Sequence, residues 1–237
     1  MQKILLNTIS VIFIGWIFGI CWLAAVQFNK KYPVTVLQLS GQFDYIAQDD
    51  IQSNLSDLLN NNLWLINVSE VKKKLYDNPW VREIFINKIW PNVLKLELIQ
   101  HTPIAKWNGK FMLTNSGKIL PLINRNLNLP EFYAPFGQEQ LLLEKYSILL
   151  EKLTPLGLFI SKIEVMTDQN IQVSLNNNNN INNSIIIKLG TIDLLDRINR
   201  FIIVYKKRLQ PIISDISYVD LRYTNGVAVG WTQKGGN

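Results

Sequence analysis

The sequence predicts an α+β protein with one N-terminal transmembrane helix, a small β-α-α-β-β domain, and a mixed antiparallel β domain with flanking helices. Three observations carry this expectation. The uncharged run from Ile4 to Val26 reaches roughly 34 Å as a helix at ~1.5 Å per residue, enough to cross a hydrocarbon core of about 30 Å. Beyond it, runs with strict apolar–polar alternation exchange with runs whose apolar residues recur every three or four positions. Clusters of Gly, Pro, Asn and Ser punctuate these runs. At 237 residues the chain has room for a membrane segment plus one or two small domains.

Residues 1–3 form a short tail before the span at 4–26. The span is too long for the apolar core of a signal peptide, and no Ala-x-Ala site follows it, which favours an uncleaved anchor. Lys3 and the amino terminus lie on one side, Lys30 and Lys31 on the other, so the positive-inside rule leaves the orientation tied. The only cysteine, Cys21, lies inside the span, so no intramolecular disulfide can form.

Residues 34–102 form the first expected domain. Val34 to Leu39 reads as a strand stopped by Ser40-Gly41. A short amphipathic helix follows from Gln48 to Asn60. A second helix starts at the N-cap Asn67, with Glu70 completing a capping-box pattern, and runs to Tyr76. Asn78-Pro79 ends it, because a residue before proline avoids the α region. Strands Val81–Ile89 and Val93–Ile99 flank the turn Trp90-Pro91-Asn92. Two helices on one face of three strands make one small core.

Residues 103–232 form the second expected domain, followed by a tail at 233–237. Phe111–Leu113 and Lys118–Leu120 suggest a hairpin turning at Gly117, and Asn124 to Pro130 reads as a connector. An amphipathic helix covers Leu141 to Leu153, and strands at Leu158–Val165, Ile171–Leu175 and Ser184–Leu189 make a meander. The tract Asn176–Asn180 reads as a lengthened hairpin loop. Leu194 to Leu209 shares one apolar helical face, and strands at Ile216–Arg222 and Gly226–Trp231 close the domain.

Composition narrows the function. The net charge of +6 comes from scattered residues; the densest runs, Lys72–Lys74 and Lys206–Arg208, sit in helical patterns and read as solvated faces, with membrane contact as the other reading. Aromatics are not interleaved with Lys and Arg as on a nucleic-acid platform, so no nucleic-acid partner is expected. His101 is the sole histidine and reads as a surface residue at a strand end. Neither phosphate-cradling glycine motif occurs, and no nucleophile–base pair or Cys/His metal set stands out, so neither enzyme activity nor a cofactor or metal is expected.

The C-terminal hairpin is the feature that reads as function. Its turn is expected at Thr224-Asn225-Gly226, where Asn-Gly accepts positive φ. The last strand, Val227 to Trp231, has no Lys, Glu or Pro to blunt its edge. Such a strand either lies inside the sheet or awaits a partner strand.

Asn78-Pro79-Trp80-Val81, Trp90-Pro91 and Pro103-Ile104-Ala105-Lys106-Trp107, then Arg197, Arg200-Phe201 and Asp220-Leu221-Arg222-Tyr223 with Gly226, Ala228-Val229 and Gly230-Trp231, resemble the sequence elements of the FtsQ/DivIB family of bacterial cell division proteins. The resemblance covers Val34 to Trp231. It implies a POTRA domain followed by an FtsQ-type β domain. It also implies a bitopic inner-membrane protein, enriched at the septum, with its C-terminal part in the periplasm. The implied partners are FtsB and FtsL, with further contacts to FtsK, FtsW and FtsI. In this family the FtsB segment pairs with the last strand, so Arg222, Tyr223, Asn225, Gly226, Val229, Gly230 and Trp231 are the implied partner-binding residues. Gly230 would let the partner backbone approach closely, Tyr223 and Trp231 would serve as aromatic anchors, and Arg222 and the basic residues of the second helix would pair with partner acids. The sequence departs from the family pattern in its short cytoplasmic tail, at Thr191 (commonly basic), at Gln100 (often Glu), and in the Asn tract. Two alternatives stand beside this reading: a POTRA protein of another envelope assembly or secretion system, and, disfavoured, a membrane-anchored cell-wall enzyme.

Overall fold

The structure, a computed structural model, describes residues 13–24, 27, 34, 36–59, 62–123, 125, 127–177, 180–224 and 226–232. The chain divides into two compact units, Met1–Gln100 and His101–Asn237. Residues 13–24 are helical, and their apolar side chains, Trp16, Phe18 and Trp22 among them, are exposed. Among the described residues no helix is long and apolar enough to cross a membrane. The remainder of the expected tail and span, at 1–12, 25 and 26, lies outside the described residues, as do the expected tail at 233–237 and Asn225.

The first unit carries β1 (Val36–Ser40), α1 (Gln48–Leu59), α2 (Val68–Tyr76), β2 (Val81–Ile89) and β3 (Val93–Gln100), the expected β-α-α-β-β order. In space the strands run β1-β3-β2, with β1 parallel and β2 antiparallel to β3. The central strand shows the cleanest alternation because one of its faces meets the helices: Leu94, Leu96 and Leu98 are buried, Glu97 exposed. Ile51 and Leu55 of α1 and Val71 and Leu75 of α2 complete the core at helical spacing. The Asn67 side chain accepts a hydrogen bond from Ser69 N at 3.0 Å, capping an end whose loss costs about 1 kcal/mol. Asp49 and Asp50 complement the N-terminal dipole of α1.

The second unit carries β4 (Pro103–Trp107), β5 (Phe111–Thr114), β6 (Ile119–Pro121), β7 (Glu131–Tyr133), α3 (Glu139–Leu153), β8 (Leu158–Val165), β9 (Ile171–Asn177), β10 (Asn180–Gly190), α4 (Leu194–Val204), β11 (Ile216–Asp220) and β12 (Ala228–Trp231). These strands form one sheet in the order β12-β11-β10-β9-β8-β7-β4-β5-β6. The meander β8-β9-β10 is antiparallel; β7 runs parallel to both β4 and β8, and β10 parallel to β11, so the sheet is mixed. Leu142, Leu149 and Leu153 of α3 and Ile198 and Phe201 of α4 share one core with the inward strand residues Ile163, Val173, Ile187 and Val219. The first sequence element of this unit now has a structural account. In Pro-x-Ala-x-Trp, Ala105 and Trp107 point into the core on β4, and both are fully buried.

Several expectations are corrected here. β4 and β7 were not among the expected strands; they pair in parallel, and Asn108 extends the contact by donating to Ala134 O at 2.9 Å and accepting from Ala134 N at 3.1 Å. His101 is buried at the entry to β4 instead of exposed. Gln100 is buried too, and its Oε1 accepts from Tyr45 N at 3.0 Å, a role open to a carboxylate as well. The Asn tract continues the ladder, with Asn177 paired to Asn180, so only residues 178 and 179, outside the described set, separate the strands. The α-helical part of the late helix ends at Val204. A wider turn of helix at Tyr205–Leu209 carries the apolar face onward, burying Tyr205 and Leu209, and Pro211 opens a 3-10 stretch.

Candidate partner-binding edge

β11 and β12 pair antiparallel: Asp220 opposite Ala228, Val219 opposite Val229, Tyr218 opposite Gly230 and Ile216 opposite Trp231, with an irregularity between Ile216 and Tyr218. The connection from Leu221 to Val227 is therefore longer than the tight Asn-Gly turn expected at 224–226. β12 is the last strand of the sheet order, so the choice left open by the sequence resolves to an edge. Along a strand backbone amides and carbonyls point alternately to its two sides; on β12 one set pairs with β11 and the other faces away from the sheet.

Arginines fix the approach to this edge. Arg200 of α4 donates to the carbonyl oxygens of Tyr223 and, at 3.3 Å, Gly226, tying both sides of the connection to the helix. Arg197, one turn earlier, donates to Leu189 O at the end of β10. Next to it Gly190 adopts φ +77°, and a Cβ there would collide with the Arg197 guanidinium. The Arg-x-x-Arg-Phe element thus works as a staple: two arginines hold the ends of β10 and of the final connection while Phe201 is buried in the core.

The implied site residues take different places. Trp231 and Tyr223 are both 60% exposed, but they flank β12 instead of meeting. With Trp231 at the far end and Tyr223 before the near end, at least ~10 Å of strand separates them. Val229 is half-buried against the core, and Gly226 stands open with no atom near a would-be Cβ. Arg222 is already engaged. Its Nε donates to Asp220 Oδ1 at 2.9 Å and its Nη2 to Oδ2 at 2.7 Å, while its backbone N donates to the same carboxylate at 3.0 Å. These hydrogen bonds, and then the positive charge, hold the buried Asp220 carboxyl below the usual carboxylate range. Arg222 is therefore partly neutralised, whereas Lys206, Lys207 and Arg208 of the later helix are exposed.

Gly230 has a cause within the fold itself. A Cβ there would lie 2.6 Å from Tyr218 Cζ and nearer still to Cε1 and Cδ1, so the glycine makes room for the molecule's own ring. That ring also carries Lys188 Nζ at 4.4 Å from its centroid, a cation–π contact on β10. Sequence reasoning missed Tyr218 and Lys188 because their closeness to Gly230 depends on a strand register that no local pattern reveals. The described residues hold no group of His, Cys, Asp and Glu suited to a metal ion.

A β-α-α-β-β unit followed by a mixed β sheet that ends on β12 defines a two-unit α+β protein. Residues 32–100 match the family model for the POTRA domain, FtsQ-type, and residues 105–222 match that for cell division protein FtsQ/DivIB, C-terminal. Similar proteins include Cell division protein FtsQ of Escherichia coli strain K12, 29% identical over 94% of this chain and 80% of the relative. That of Haemophilus influenzae is 27% identical over 92% of this chain and 88% of the relative, and that of Hahella chejuensis 25% over 93% and 77%. The chain belongs to the FtsQ/DivIB family of cell division proteins, a family of division scaffolds.

Proposed function

We propose that this protein is a bitopic inner-membrane scaffold of the divisome, anchored by residues 4–26 with its C-terminal part in the periplasm at the division septum. In this reading residues 1–3 are a cytoplasmic tail, 34–102 the POTRA domain and 103–232 the partner-binding β domain. The protein binds FtsB and FtsL by strand addition to β12 and so couples early to late division proteins, with FtsK, FtsW and FtsI as further contacts. Arg222, Tyr223, Asn225, Gly226, Val229, Gly230 and Trp231 form the contact region, in which Tyr223 and Trp231 are the anchors and Gly230 acts by seating β12 against Tyr218.

The observation that carries this reading is the position of β12: a strand without charge or proline, at the end of the sheet, flanked by two exposed aromatics. Backbone pairing supplies the contact and the flanking rings supply selectivity. The test is a titration of the full chain in detergent with the periplasmic segment of FtsB, comparing Trp231→Ala and Tyr223→Ala with the parent. Marked weakening in at least one variant is expected; parental affinity in both removes the assigned surface.

A further inference from the structure

The exposed apolar side chains of the first unit gather at one pole. Between Val36 and Gln100 the exposed large hydrophobics are Val36, Trp64, Leu65, Tyr76, Phe85, Ile89 and Trp90, and all but Tyr76 and Phe85 belong to one end of the sheet. That end is fixed by pairing. Val36 and Ile89 both lie opposite Val93, and Val36 N donates to Asn92 O at 3.5 Å. The turn Trp90-Pro91-Asn92 therefore sits beside the start of β1. Trp64 packs edge-on against Trp90, with centroids 5.6 Å apart, which brings the loop between α1 and α2 to the same pole.

The loop is built to present its apolar pair. Leu63 and Ile66 are buried and pin both ends, while Trp64 and Leu65 between them are 60% and 66% exposed. Asn62 Oδ1 accepts from Trp64 N at 3.1 Å, and Leu65 N donates to Asn62 O at 2.9 Å, closing the turn. Lys88 Nζ donates to Trp64 O and, at 2.7 Å, to Ile66 O, clamping the loop to β2. A held loop that turns two large apolar residues outward is a presenting surface.

The same pole is where the chain enters from its apolar N-terminal run. Val36 follows Val26, the last residue of that run, after ten residues, a reach of at most about 36 Å. Lys30 and Lys31 lie within this stretch. A tether of that length keeps the pole near any bilayer the run crosses, and tryptophan is the side chain best suited to the boundary between acyl chains and headgroups.

We propose that Trp64, Leu65, Ile89 and Trp90 insert into the headgroup region of the membrane that holds the N-terminal run, docking the first unit on the bilayer. This rests on residues 4–26 spanning that membrane. The surface fixes the pole of the unit that faces the lipid and leaves the other elements directed away from it.

The test places the full chain in vesicles of phosphatidylethanolamine and phosphatidylglycerol in which part of the lipid is brominated, either near the headgroup or deep in the acyl chains. Tryptophan emission is compared between the parent and the double variant Trp64→Ser, Trp90→Ser. Deep bromines should quench Trp16 and Trp22 in both proteins. Shallow bromines should quench a component present in the parent and lost in the double variant. Deep quenching without that shallow component overturns the docking surface while leaving the anchor intact, including the case where the two tryptophans become shielded only on addition of a protein partner. Absence of deep quenching removes the anchor, and the docking surface falls with it. Both substituted side chains are exposed, and an unchanged thermal transition shows that the variant is folded.

Discussion

The nine-stranded sheet ends in two edges, and they are built differently. At one end β6 has three residues, closes on Pro121, follows Lys118, and turns Leu120 into the core. Proline has no amide to offer a neighbouring strand, so this edge is guarded in the usual way. At the other end β12 has neither charge nor proline, and Trp231 leaves it into solvent. That one edge is guarded and the other bare supports the proposal that β12 receives the partner. Shortness still restrains β12: with four residues it offers only a few outward hydrogen bonds, so the flanking rings must supply much of the affinity and selectivity.

The sharpest way to break this contrast is Trp231→Ala. A buried aromatic anchor in an interface is worth roughly 2–4 kcal/mol, so the dissociation constant for the FtsB segment should rise on the order of 30-fold or more, read by calorimetric titration. Thermal stability should be unchanged, since the side chain is exposed. Gly230→Ala acts one residue away through the fold instead. Its Cβ would overlap the Tyr218 ring, an overpacking cost of about 1–3 kcal/mol in chemical denaturation. Adding Tyr218→Ala should return much of that loss; strict additivity of the two substitutions would show that the ring is not the cause.

A smaller effect concerns the base of the edge. Because hydrogen bonds from Arg222 depress the Asp220 pKa in the folded state, this pair contributes stability above the unfolded value of about 3.9, and the contribution disappears as pH falls through the folded value. Asp220→Asn should lower stability across neutral and alkaline pH, where the pair contributes in full, and converge on the parent at low pH, which flattens the acid limb of the stability–pH profile. The smallest effect belongs to the guarded edge. Pro121→Thr restores an amide to β6, should alter monomer stability by no more than ~0.5 kcal/mol, and should raise concentration-dependent association by light scattering.

The contrast also marks what the sequence discloses. The first unit was legible element by element, since β3 alternates and α1 and α2 repeat at helical spacing, and each pattern reports one buried face. The meander β8-β9-β10 was legible for the same reason. β4 and β7 were not: Pro103–Trp107 begins with proline and is held between antiparallel β5 and parallel β7, while Glu131–Tyr133 has three residues and is a strand only through parallel neighbours distant in sequence. His101 looked like a surface residue because a polar side chain beside proline carries no sign of the burial imposed by the chain around it. At the edge, composition showed that β12 lacked guards, but its position in the sheet, the match of Gly230 to Tyr218 and the engagement of Arg222 by Asp220 are products of register.

The Arg200 staple has an entropic consequence for the proposed complex. With the carbonyls of Tyr223 and Gly226 held by a helix, the receiving side has little disorder left to lose on docking. The entropic burden then falls on the incoming segment, and stiffening that segment in an extended form should tighten the complex more than any further bracing of the receptor.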